Sequence, residues 1–326
     1  MAKMVFHSRL SEQLGAFIEQ KHLLGYPYKS SGNVLKRFDA MLSSKFPDAG
    51  TVTKEICDEW VRENSDVHQN TLTRSITPIR QFTKYLAGTG MQVYIIPRHI
   101  GSKQIKYQAH IFTSAEKVAF FRSVDSCAFS AHSPTKCYAA PVMFRMLYCC
   151  GLREKEVLDL TVDDVGLEDG KVMIRESKGW KARTVFMSQD MLLLCRRYDR
   201  IIGRMLPGRQ AFFPNRHGRH LRYHTLNHWF HEFWDCLPES VAPDGIQATP
   251  HCFRHTYAVD RLNSWVREGR DISTMYAYLS EYMGHVQYSS TDYYLQLVSE
   301  FYPEMEKLLS GVNKNILPEV CHENEN

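Results

Sequence analysis

Arg153, Lys178, His251, Arg254, His285 and Tyr294 are six residues whose types suit a single reaction. They lie in GLREKEVLDL, ESKGWKARTVF, TPHCFRHTYA, YMGHVQYSS and STDYYLQL. Cutting a phosphodiester through a covalent intermediate requires a nucleophile, a positive clamp on the non-bridging oxygens and an acid for the departing oxygen. Tyrosine can be that nucleophile once it is helped to lose a proton whose ordinary pKa is about 10. Arginines suit the clamp, because a planar guanidinium spans two phosphate oxygens and stays charged. A lysine on a turn can donate a proton, and imidazoles close to neutral pKa can hold or pass one. Three cations, two imidazoles and a phenol make a poor set for peptide hydrolysis or metal binding and a good one for strand chemistry on DNA or RNA.

Taken singly, each residue has a plainer use. Arg153 would serve as a surface arginine at a helix start, Lys178 as a turn lysine and His251 as a helix N-terminal histidine. Tyr293 and Tyr294 are two of 17 tyrosines that could fill a core. The joint order and spacing carry the chemical reading.

The elements that must position these residues can be traced in the pattern. Leu10, Leu14, Phe17, Ile18 and Leu24 recur mostly at spacings of three and four, which predicts a helix within residues 6–26. Val34, Leu35, Phe38, Met41 and Leu42 predict a second, with Ser30 and Ser31 as its caps. Thr53 opens a third with Ile56, Trp60 and Val61, and a fourth runs from about Thr71 through Ile76, Ile79, Phe82 and Tyr85 to Gly88. These four form a helical domain over residues 1–93, followed by a basic, aperiodic linker over 94–112. A second domain, 113–310, opens at Thr113 in TSAEK, which reads as a helix cap and its first turn. Two helices broken at Gly151 follow, over 142–150 and 154–160. GKVMIRESKGWKARTVFM reads as strand, turn at Lys178 to Trp180, and strand, with further helices at about 189–203, 222–236, 251–268, 273–283 and 289–297. The tail, 311–326, has no pattern. The fold class is mainly α with a small β-sheet.

Composition fits a folded chain: 44% hydrophobic and 12% aromatic over 326 residues, enough for two domains. No apolar run approaches the roughly 18 residues that span a bilayer, and the N-terminus lacks a signal peptide's apolar core, so a cytoplasmic protein is expected. Nine cysteines are scattered without a CxxC pair, which reads as reduced residues and no metal site. Residues 1–110 hold 15 Lys and Arg against 9 Asp and Glu, whereas the remainder holds 25 against 27. The positive excess sits in the first third, as expected of a domain that tracks phosphates, although a solvated basic face would look the same.

The joint pattern resembles the tyrosine recombinase family, the phage integrases and Xer-type recombinases. An arginine after glycine-leucine with an acidic residue three places on matches Gly151, Leu152, Arg153 and Glu156. The hairpin lysine matches Lys178 in KGWKARTVFM, HxxRH matches His251, Arg254 and His255, and GH with a tyrosine nine residues later matches Gly284, His285 and Tyr294. The resemblance covers about residues 110–310 by motif and the N-terminal part by architecture, as a helical core-binding domain. It implies that Tyr294 attacks the scissile phosphate to form a 3′-phosphotyrosyl bond while Lys178 protonates the 5′ oxygen. Arg153 and Arg254 would stabilise the growing charge, His251 would accept or donate a proton near the tyrosine, and His285 would hydrogen-bond the phosphate. Glu156 would anchor Arg153, with His255 supporting the site from behind.

The same resemblance implies double-stranded DNA with paired recombination sites, a homotetramer on DNA, no cofactor and no membrane partner. It leaves room for an accessory directionality factor or a second recombinase. The family's clamp would put the helical domain on one face of the duplex and the catalytic domain on the other. The interval from Arg254 to His285 exceeds that of compact Xer enzymes, with SWVREGRD as the insertion. Segment 299–318 would pack onto a neighbouring subunit, and YYLQLVSEFYPEME resembles the ends of mobile-element integrases. Two other readings use overlapping features: a type IB topoisomerase, which nicks and reseals one duplex, and a DNA-binding module without catalysis.

Overall fold

The computed structural model describes residues 4–65, 69–100, 109–175, 182–241 and 245–284, without the side chains of residues 272 and 273. The chain divides into two compact units, Met1–Tyr107 and Gln108–Asn326. Among the described residues it is mainly helical, with one two-stranded sheet. No described helix is long and apolar enough to cross a membrane.

The first unit is built from α1 (Ser11–Leu23), α2 (Lys29–Lys45), α3 (Lys54–Glu63) and α4 (Gln69–Gly88). Each helix carries its apolar residues at three- and four-residue spacing, so each turns one stripe inward. Leu14, Phe17, Leu35, Phe38, Ile56, Trp60, Ile79 and Phe82 fill the shared core. Thr53 caps α3, its hydroxyl accepting from the Ile56 N–H at 3.4 Å. Buried Asp39 ties down the chain start by accepting from the His7 and Ser8 amides at 2.7 and 3.0 Å.

The start of α2 departs from the sequence reading. Ser30 and Ser31 lie inside the helix, which begins after Tyr28 at φ 47° with no side-chain cap bond. The Tyr28 ring meets Phe17 edge-on at 5.7 Å and its hydroxyl donates to Gln81 at 2.8 Å. Those tertiary contacts hold a backbone conformation that bulky residues otherwise avoid, so packing rather than a cap sets this boundary.

The stretch expected as a linker is packed at both ends. Ile96 lies in the first unit's core, and Arg80 donates to the Ile96, Pro97 and Ile100 carbonyls at 2.9, 2.9 and 2.7 Å. In the second unit, Phe112 is buried against Phe253 with rings stacked at 4.5 Å, and its N–H donates to the Thr256 hydroxyl at 3.0 Å. Single large apolar residues anchor these segments without any periodicity.

The second unit contains α5 (Ser114–Asp125), α6 (Lys136–Cys149), α7 (Glu154–Asp159), β1 (Lys171–Ile174), β2 (Arg183–Phe186), α8 (Gln189–Met205), α9 (Tyr223–Trp234), α10 (Cys252–Arg267) and α11 (Ile272–Tyr282). Thr113 and Glu116 form a reciprocal capping box ahead of α5, as TSAEK suggested. Helix α6 begins six residues before the expected 142, taking Pro141 into its second turn. Strands β1 and β2 run antiparallel with Val172 opposite Val185 and Ile174 opposite Arg183. The turn expected at Lys178 to Trp180 lies outside the described residues. Phe112, Phe120, Phe144, Phe230, Phe253 and Trp234 form the aromatic centre of the core. The SWVREGRD stretch supplies the last turn of α10 and the bend at Gly269 into α11, with Trp265 edge-on to Tyr278 at 6.3 Å.

Candidate active site

Helix α10 sets two of the expected residues. His251 is its N-cap and Arg254 lies in its first turn, so a spacing of three puts both on one side. Between them, Cys252 and Phe253 are fully buried, and the Phe253 ring packs against Phe112, Phe120 and Phe121. The helix start is thereby fixed to the core. Arg254 is itself 2% exposed, which a permanently charged group tolerates only with strong acceptors. Its Nη1 donates to the Gly151 carbonyl at 2.6 Å and its Nη2 to the Met283 carbonyl at 2.5 Å. The His255 ring lies 4.8 Å from that of His251, nearly perpendicular to it.

Arg153 sits at the turn from α6 into α7. Gly151 makes that turn at φ +60°, and a Cβ there would meet the Tyr257 ring at 2.6 Å, so only glycine fits without displacement. Glu156, one turn into α7, accepts from the Arg153 backbone N–H at 2.9 Å and from Arg153 Nη1 at 2.7 Å. Arg153 Nη2 donates to the Gly284 carbonyl at 2.8 Å.

A residue that the motif reading left unassigned completes the cluster. Arg183, at the start of β2, grips Glu156 with both terminal nitrogens, Nη1 to Oε1 at 2.8 Å and Nη2 to Oε2 at 2.7 Å. Its Nε donates to the Tyr282 carbonyl at 2.8 Å. Strand alternation puts Arg183 on the same face as buried Val185, and an arginine at an inward strand position demands a buried anion; that was the available signal. Glu154, also unflagged, is buried beside the His251 backbone N–H and Tyr223. Burial pushes its carboxyl above the usual range, against those hydrogen bonds.

Charge balance follows from this packing. Burial would raise the Glu156 pKa, but the Arg183 hydrogen bonds and charge, helped by Arg254 and the Arg153 N–H, bring it down to about 2. His251 is pushed down to about 4, first by burial and then by the charges of Arg254 and Arg153. At neutral pH three guanidinium groups therefore surround the ionised Glu156, with the neutral His251 imidazole beside them. Such a set is an anion cradle with a proton acceptor beside it.

The described residues bring together Arg153, Glu156, His251, Arg254 and His255. Lys178, His285, Tyr293 and Tyr294, the expected helix at 289–297, segment 299–318 and the tail lie outside the described residues.

Comparison with known proteins places this cluster. The sequence profile of the phage integrase family matches residues 123–300, more than half of the chain. A Sinorhizobium fredii protein named as an integrase/recombinase, y4rE, is 27% identical over 289 residues, 88% of this chain and 91% of its own length. Tyrosine recombinase XerD of Pseudomonas putida is 32% identical over 158 residues, 47% of each chain. Among solved structures, the Tn1549 transposon integrase in complex with transposon right end DNA shares the fold at a TM-score of 0.63 and 14% identity, over 91% of this chain and 99% of that one. The family profile spans every residue of the arginine and histidine cluster, and the chain belongs to the phage integrase family of tyrosine recombinases.

Proposed function

We propose that this tyrosine recombinase cuts a DNA strand by attack of the Tyr294 hydroxyl on the scissile phosphate and then rejoins the strand to another duplex. A Tyr294 O–P bond forms and the P–O5′ bond breaks, leaving the DNA 3′ end on the protein. The tyrosine proton passes to neutral His251, and Lys178 protonates the departing 5′ oxygen. Arg153 and Arg254 hold the non-bridging oxygens as charge grows on them, with His285 as a further hydrogen-bond donor. Glu156 fixes the Arg153 fork, and His255 supports His251. A 5′ hydroxyl from a second duplex reverses the step without ATP, because the phosphotyrosyl bond stores the energy of the cut.

The observation that carries this reading is the arrangement of Arg153 and Arg254. Their guanidinium groups are anchored to the carbonyls of Gly284 and Met283, immediately before His285, while Glu156 holds one of them in plane. A neutral His251 beside them suits a proton acceptor better than a donor. A bound phosphate adds a negative charge that raises its pKa, which favours taking the tyrosine proton at that moment. The DNA partner is supported by the Tn1549 integrase complex with transposon DNA. We extend the reading to paired sites, a homotetramer on DNA, cytoplasmic action on a mobile element, and the helical first unit as a DNA-binding domain with a basic excess.

The test is covalent trapping. Nicked duplexes of randomised sequence are mixed with the protein in EDTA without ATP; a nick near the cut lets the short strand with the 5′ hydroxyl diffuse away. A denaturation-resistant adduct through a DNA 3′ phosphate is expected. Tight binding to the pool without an adduct contradicts the proposal.

A further inference from the structure

The last carbonyls of the α11 end are held by three different arginines. Tyr282 accepts from Arg183 Nε at 2.8 Å, Met283 from Arg254 Nη2 at 2.5 Å and Gly284 from Arg153 Nη2 at 2.8 Å. They lie at and just past the negative end of α11, where cations bind best. Only two of the three arginines have a part in the reaction proposed above. Arg183 is 9% exposed at its side chain and Glu156 3%, so this pair is sealed from solvent. Both terminal nitrogens of Arg183 are directed at Glu156, the carboxylate that also orients Arg153. Gly284 turns at φ +64°, and a Cβ there would stand 3.0 Å from Arg183 Nη1 and 3.2 Å from its Cδ. The absence of a side chain at 284 is thus what allows Arg183 to lie flat against this backbone.

We propose that Arg183 is a positioning residue for strand cleavage. One guanidinium joins three parts of the site: the carboxylate that orients Arg153, the backbone that leads into His285, and strand β2, which begins five residues after Lys178 in sequence. Loss of Arg183 releases one whole side of Glu156, so the Arg153 fork loses its plane. It also frees the Tyr282 carbonyl, from which the chain runs on to His285. Lysine is no substitute, because a single ammonium cannot make a two-point contact with a carboxylate and reach a third acceptor. The effect falls on the alignment of groups around the phosphate and not on DNA affinity, which comes from many phosphate contacts elsewhere. This inference rests on the cleavage chemistry proposed above.

The test uses the full chain and a nicked duplex recovered from the trapped pool. Its scissile phosphate is either natural or replaced by a methylphosphonate, which carries one negative charge fewer and so relies less on the arginine fork. Arg183→Lys is expected to bind the duplex as the wild type does and to form adduct about 100-fold more slowly on the natural phosphate. On the methylphosphonate that loss shrinks by about tenfold or more, since the misaligned charge clamp matters less there. Equal losses on both substrates would show a general structural role, and an unchanged rate on the natural phosphate would show none; either overturns the proposal. Where Arg183→Lys does not fold, Gly284→Ala crowds the Arg183 guanidinium and carries the same comparison with the same outcomes. A wild-type protein that forms no adduct overturns the cleavage chemistry itself, which separates that failure from a failure of the Arg183 assignment.

Discussion

Replacing Glu156 by glutamine keeps the size of the side chain and removes the one negative charge at the centre of the cluster. The carboxylate accepts four N–H bonds, from the Arg153 backbone at 2.9 Å, Arg153 Nη1 at 2.7 Å and the two Arg183 nitrogens at 2.8 and 2.7 Å. An amide accepts at one oxygen only and turns its NH2 toward a guanidinium. The depression of the carboxyl pKa from 4.5 to about 2 corresponds to about 3 kcal/mol at roughly 1.4 kcal/mol per pH unit. Removing one partner of a buried ion pair independently suggests about 3–5 kcal/mol. For a unit of this size, about 3 kcal/mol lowers Tm by roughly 6–12 °C. The folded pKa lies below the unfolded one, so the contribution is complete above pH 4.5 and is lost as pH falls toward about 2. The gap between wild type and Glu156→Gln should therefore be about 1 kcal/mol smaller at pH 4 than at pH 7. Urea unfolding of both proteins at the two pH values reads this directly. A gap below about 1 kcal/mol at pH 7, the range of an exposed pair, would refute the reasoning. A gap that does not change with pH would refute it as well.

Three other outcomes follow from the same geometry. Gly151→Ala places a Cβ 2.6 Å from the Tyr257 ring at φ +60°, and should destabilise by roughly 1–3 kcal/mol; an unchanged melting temperature contradicts the packing described. His251 has a folded pKa lowered from 6.5 to about 4, so the unfolded chain takes up its proton first and stability declines as pH falls through that interval, by up to about 3 kcal/mol. His251→Gln should show a flatter decline over the same interval, and an identical slope would remove His251 from the account. Deleting residues 299–326 should abolish recombination of paired sites while sparing DNA binding, whereas full recombination by the shortened chain would end the idea that this segment joins subunits.

Legibility in the sequence differed by the kind of constraint. Arg153, Glu156, His251 and Arg254 stood out in the sequence by residue type, joint order and motif, each motif being short enough to sit on one helix start, and the structure brings the four together. Helices with a clear apolar stripe, such as α8 with Met191, Cys195, Tyr198 and Ile202 inward, were visible for the same reason. The antiparallel pairing of β1 and β2 was also foreseeable from two short runs flanking a turn. What escaped the reading depends on distant partners. Arg183 was given no role because Glu156 is 27 positions away, and only the inward face of β2 marks it out. Ile96 and Phe112 looked like linker residues because one anchored ring or branched side chain leaves no periodic trace. Tyr28 starts α2 through its ring contact with Phe17, which outweighs the two serines that local propensity favours as caps.

The most direct measurement is to digest the trapped protein–DNA adduct and sequence the peptide that carries the nucleotide. Attachment at Tyr294, abolished in Tyr294→Phe and retained in Tyr293→Phe, is the predicted result. Attachment at Tyr293 or at any other side chain would contradict the assignment of the nucleophile on which the account rests.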